Sequence, residues 1–140
     1  MWYIAELVEE FTVEGKADNV VHINGVLLQA ESDDAAYKAA LNMAWEDEYT
    51  NPQGQTVRVR FLGIQDLTRI HDDLEHGAEL YYSERVGLTA QELAGLVSER
   101  SDLGVFRAPD STPRPDYSDG QILREAMELV RASRRNPFDK

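Results

Sequence analysis

The sequence predicts an α+β fold. Its expected core is a four-stranded antiparallel sheet in the order β-β-α-β-β with a helix on one face, followed by a short helix and a C-terminal amphipathic helix. Three observations lead there. Apolar side chains alternate along residues 2–13, 20–30 and 56–70, the two-residue period of a strand with one core face. Between the second and third of these stretches an alanine-rich segment opens on Ser32-Asp33-Asp34, a good helix start. Two pairs of strands joined by one helix then give an antiparallel sheet with that helix laid on it.

In the first stretch Tyr3, Ala5, Leu7, Phe11 and Val13 share one parity. Trp2, Ile4 and Val8 interrupt the polar side, so the second face of this strand is expected to be partly covered as well. Glu14 to Asn19 is a turn cluster. In the second strand the inward set changes parity at Gly25, from Val21 and Ile23 to Val26, Leu28 and Ala30, which predicts a bulge at the glycine. The helix after Ser32 carries Asp33 and Asp34 in its first turn, where the dipole favours negative charge. Its stripe of Ala36, Ala40 and Met43 is expected to run on to about Tyr49, with Trp45 as bulk near the end, before Asn51-Pro52-Gln53-Gly54 stops it.

The third strand is expected over Thr56 to Ile70, interrupted at Gly63, and the fourth over Glu79 to Val86 with Leu80, Tyr82 and Val86 facing the core. A short helix over Asp66 to His76 is the alternative there. Thr89-Ala90-Gln91-Glu92 is a capping box for a short helix. Ser118 and Gln121 form a second one, and Ile122, Ala126, Leu129 and Val130 line one side of the helix that follows, ended by Asn136-Pro137. The chain therefore divides into a compact α+β domain over 1–107, a Pro-rich spacer over 108–117 and a C-terminal helix over 118–140. The spacer reaches up to ~30 Å at roughly 3.1 Å per residue.

Several separated motifs resemble one known family. Trp2-Tyr3 opens the chain, residues 27–35 read LLQAESDDA, Glu48-Tyr49-Thr50-Asn51 precedes Gly54-Gln55, and residues 77–83 read GAELYYS. In this order they look like a bacterial family of uncharacterised proteins, domain of unknown function 4288. The resemblance covers about residues 1–86, implies a compact α+β unit and implies no activity. Residues 89–140 fall outside it.

Charge and composition narrow the functional classes. The net charge is −12. Residues 1–119 hold 23 acids against 9 bases (−14) and residues 120–140 hold 3 against 5 (+2). Such a body repels phosphate backbones, so no nucleic-acid partner is expected. No apolar run is long enough to span or enter a membrane, and the start carries no leader pattern, so the expected address is the cytoplasm. Cysteine is absent, which excludes disulfides and thiolate catalysis and leaves any zinc site to His and carboxylates.

His71, Asp73, His76 and Glu79 form the densest set of candidate metal ligands, for zinc or manganese. The two His are spaced i and i+5, which on a helix turns them about 140° apart, against the i and i+4 of a helical zinc pair. Phosphate loops, nucleophile elbows and paired-thiol motifs are lacking, so no cofactor is expected and an enzyme is disfavoured. The sharper expectation is contact. Trp2, Ile4 and Tyr81 on the outer side of the sheet, with Ile122 and Leu129 on the last helix, are expected to meet a partner. The resulting reading is a non-enzymatic protein-interaction module that self-associates as a homodimer or binds another protein. Two alternatives stand beside it: a metal-assisted hydrolase using His71 to Glu79, and an immunity-like or antitoxin-like acidic inhibitor of a basic partner.

Overall fold

A computed structural model describes residues 1–135. Strand β1 (Trp2–Val13) pairs antiparallel with β2 (Val20–Gln29) along one edge and with β4 (Thr56–Ile70) along the other, and β3 (Asp47–Thr50) pairs with the start of β4. The sheet order is β2-β1-β4-β3. Helix α1 (Asp33–Leu41) packs on one face, so the fold is the expected α+β class with elements in the order β-β-α-β-β. Two short helical pieces follow, α2 (Ala90–Ala94) and a 3-10 turn at Arg100–Asp102, then α3 (Gly120–Arg134). The Asn136-Pro137 stop lies outside the described residues.

The alternation in β1 explains the inner face. Tyr3, Ala5 and Leu7 are buried with Leu28 beneath Ala36 and Ala40 of α1, while Phe11 and Val13 are buried with Val57 and Val59 further along. Ser32 caps α1, its hydroxyl accepting from the Ala35 amide at 3.1 Å. The capping box at Thr89 also forms, with the Glu92 amide donating back to Thr89 Oγ1.

The second buried cluster is closed by the end of the Pro-rich stretch. The Tyr117 ring stacks against Phe11 and His22 with centroids 5.0 and 5.2 Å away, and the Tyr49 hydroxyl donates to the Tyr117 carbonyl. Buried Asn51 holds this junction with its full hydrogen-bonding capacity. Its amide donates to Gln55 Oε1 (3.0 Å) and to the Asp116 carbonyl (2.9 Å), and its Oδ1 accepts from the Gln53 and Gln55 amides.

Four sequence expectations are corrected. The simplest is the second capping box: Asp119, not Ser118, caps α3, because Ser118 bonds to Asp116. Next, helix α1 ends at Leu41, not at Tyr49, and residues 47–50 are strand β3. The acids at 46–48 sit where the helix dipole disfavours them, whereas a strand lets Glu48 reach Arg58 at 3.3 Å and lets Tyr49 pack in the second cluster. Trp45 and Met43 stand exposed beyond the helix.

The third correction concerns residues 79–86, which are not a strand; Leu80, Tyr82 and Val86 are exposed. Leu80 and Tyr81 instead close over the outer face of the sheet beside Ile4. Thus the 15-residue strand β4 is the fourth strand, not the third, and it runs unbroken to Ile70 with no helix over 66–76.

Fourth, β2 has no bulge at Gly25: Glu6 faces Gly25 in a continuous register, and Val21 and Ile23 stay on the outer side with Leu27. The irregularity lies in the pairing of β1 with β4, between Glu6 and Leu7 and between Val8 and Glu9. Gly63, opposite Val8, takes it up with φ +151°, a conformation that strains any residue with a Cβ.

Ala36 and Ala40 have no exposed surface, so α1 approaches the sheet at alanine distance. Ala36→Leu is therefore expected to cost about 1–3 kcal/mol through overpacking, measured by urea denaturation.

Candidate functional site

The outer face of the sheet is polar at one end and apolar at the other. At the polar end Arg60 bridges to Glu10 at 3.1 Å and Arg58 to Glu48, so these arginines pair with neighbouring strands. At the other end Ile4, Ile23, Leu27, Leu74, Leu80 and Tyr81 surround a groove of about 490 Å³. Ile4 is half-buried; Ile23, Leu27 and Tyr81 are about half exposed, at 51%, 48% and 58%. Trp2 is half-buried nearby, directly across from buried Ile70.

Alternation along β1 and β2 sends these side chains outward, and the loop after β4 only rims them. The floor of the groove is Gly25, and Glu6 lies beside it. Glu6 pairs with Asp66 across β1 and β4, but Asp66 does not line the groove, and its carboxylate accepts from the Leu67 amide and the Thr68 hydroxyl at 2.9 and 3.1 Å. Glu6 meets no basic side chain among the described residues.

Of the expected contact residues, Trp2, Ile4 and Tyr81 gather around this outer face. Ile122 and Leu129 do not join them. They are exposed on α3, which buries no residue of its own.

The four candidate metal ligands are divided. His71 and Glu79 line one cleft of about 400 Å³ together with Asp72, and neither Asp73 nor His76 lines it. Asp72 accepts from the Glu79 amide at 2.9 Å. Among the described residues no three His, Asp or Glu side chains are arranged to hold a metal ion.

A third cluster joins two remote segments at the start of α1. The Tyr3 hydroxyl donates to Asp33 Oδ1 at 2.8 Å, and Arg69 bridges to the same oxygen at 2.6 Å. Burial of the Tyr3 ring pushes its hydroxyl pKa up, and the Asp33 charge adds to this. The hydrogen bond from Arg69, then that from Tyr3, holds the Asp33 carboxyl below the usual range. Sequence reading missed this triad, because residues 30 and 36 positions apart carry no local signal. It also missed Glu6 and the role of Gly25; the glycine drew notice there only as a bulge.

The model for the family described as "Domain of unknown function (DUF4288)" matches residues 2–82, more than half of the chain. The chain belongs to this family. The matched span takes in the whole sheet, α1 and the Leu80–Tyr81 rim of the groove, and it stops before α2 and α3. No curated protein and no solved structure matches the chain. None of the described helices is long and apolar enough to cross a membrane.

The lowered pKa of Asp33 has a defined sign. A carboxyl whose folded pKa is depressed contributes stability that is present above its ordinary value and lost as the pH falls through the lowered one. Asp33 is exposed, so the contribution is modest. Asp33→Asn is expected to flatten the acid limb of the melting temperature below about pH 4, while also lowering it at neutral pH. Thermal melts across pH would check both.

Proposed function

We propose that this DUF4288 member is a non-enzymatic protein-interaction module that self-associates through the outer face of its sheet. The observation that carries this reading is the uncovered groove around Ile4, Leu27 and Tyr81. Each Å² of apolar surface left in water forgoes roughly 25 cal/mol, and contiguous exposed apolar surface on a small domain marks a contact site. The groove lies within the span shared with the family, as a family-wide contact surface would require. Nucleic acid fits poorly as the partner, because Glu6 lines the groove and the chain carries −12 overall.

Sedimentation at micromolar concentration is expected to show a dimer. Leu27 is on the groove wall and half exposed, so Leu27→Glu can weaken association without disturbing the inner core. The expected loss is about thirtyfold in dimer affinity, equivalent to about 2 kcal/mol at the centre of an interface. A wild-type chain that stays strictly monomeric at these concentrations defeats the reading.

A further inference from the structure

We infer that the groove receives helix α3 of a second copy, each protomer lending its last helix to the other. The inference rests on the self-association proposed above and names the surface that fills the groove. Four observations carry it.

The first is α3 itself. It is a capped helix of 15 residues, Asp119 accepting from the Gln121 and Ile122 amides, yet it buries no residue. An isolated helix of that length is marginal in water. Ile122, Ala126, Leu129 and Val130 fall on one side at 100° per residue, the pattern of a helix made to lie in an apolar groove.

Gly25 is the second. Its backbone is not in the left-handed region, it sits in unbroken register, and a Cβ built on it meets nothing within 4 Å. Neither conformation nor packing within the chain calls for glycine there. A glycine inside a strand weakens the strand and commonly marks close approach by another backbone. Here it leaves the groove floor open for a helix to settle against the sheet.

Charge supplies the third. Glu6 lines the groove with no basic side chain as a partner among the described residues, and residues 1–119 carry −14. Residues 120–140 carry +2, and Arg134 stands one turn beyond Val130 at the edge of the apolar stripe. A cationic helix edge laid beside Glu6 supplies the opposite charge that acid lacks. The same acidic body disfavours an anionic lipid surface as the destination of α3.

Placement favours the second copy. Tyr117 and the Asp116 carbonyl are fastened at Phe11, Tyr49 and Asn51 on the inner face of the sheet. The groove opens on the outer face. With the Tyr117 junction closed, α3 starts on the inner side and enters its own groove only by turning round the sheet edge, a constraint that the helix of a second copy does not meet.

The test is complementation between two full-length variants followed by analytical ultracentrifugation. Gly25→Leu fills the groove floor and, with nothing near its Cβ, is expected to keep the wild-type circular dichroism spectrum and at least its melting temperature. Ile122→Glu with Leu129→Glu blunts the helix, whose exposed side chains do not hold the fold. Each variant alone is expected to lose the dimer, and the two mixed are expected to form a one-to-one heterodimer, since one intact helix and one intact groove remain across the pair. A mixture that stays monomeric overturns the exchange. So does a dimer that survives in the helix variant, which would mean that sheets meet directly and would leave the proposed self-association standing. A dimer that survives in Gly25→Leu also overturns it, in favour of helices pairing with each other. A monomeric wild type removes the self-association itself.

Discussion

Strand β1 is hydrogen-bonded along both edges, to β2 from Trp2 to Phe11 and to β4 from Trp2 to Val13. Its backbone polar groups are thus satisfied inside the sheet, and what its two faces carry governs everything packed on them. The inner face holds Tyr3, Ala5, Leu7, Phe11 and Val13, a length that one nine-residue helix cannot cover. Helix α1 spans roughly 14 Å at 1.5 Å per residue against roughly 40 Å of strand at about 3.3 Å per residue. The remainder is covered by Tyr49, by Val20 of β2 and by Tyr117, brought back from far along the chain. The inner face is closed by two devices, and the second fixes where α3 begins.

The outer face follows the opposite course. Its end near Val13 is neutralised by Arg58 and Arg60 bridged to Glu48 and Glu10, a solution suited to solvent. Toward Trp2 it turns apolar, and among the described residues Leu74, Leu80 and Tyr81 of the loop after β4 rim it. Leu27, Leu80 and Tyr81 remain about half exposed. A loop rich in acids, with Asp72, Asp73, Glu75 and Glu79 among nine residues, has too little apolar surface to finish the job. The sheet is thus complete on one side and unfinished on the other.

Much of this was legible in the sequence where the signal is periodic. The parity of β1 and β4, the cap at Ser32 and the box at Thr89 are local patterns, and the structure contains each of them. Errors came where tertiary pairing outweighed local preference. Ala44 to Tyr49 continues the helical spacing of Ala36 and Ala40, but Glu48 and Tyr49 gain an ion pair and a buried contact only as a strand against β4. Leu80, Tyr82 and Val86 alternate like a strand, yet Leu80 and Tyr81 lie across the sheet instead of along its edge. The parity shift read at Gly25 arose because Val21 and Ile23 are apolar on the outer face, and a single sequence does not say which of two apolar faces is the inner one. Of the expected site, Ile4 lines the groove as the alternation of β1 indicates, Tyr81 reaches it from a loop and not from the expected strand, and Tyr3, Asp33 and Arg69 meet only through the fold.

The same ambiguity bears on how the chain settles its surface. A strand that is apolar on both faces needs two covers, and the chain encodes two amphipathic helices: α1, weakly so and seated on buried alanines, and α3, more strongly so with no residue buried. Helix α1 follows β2 directly and reaches the inner face of its own sheet through a short turn at Ala30 to Ser32. Helix α3 is separated from the sheet by the Pro-rich segment, and that segment is pinned by Asn51 and Tyr117 before the helix starts. Had the segment been left unpinned, α3 could swing back to the outer face and complete the protomer alone, at the modest entropic cost of closing a longer loop. The fully satisfied amide of Asn51, with both donors and both acceptor positions used, fastens that segment through the Asp116 carbonyl, so α3 starts from the inner side of the sheet and not from its apolar outer face.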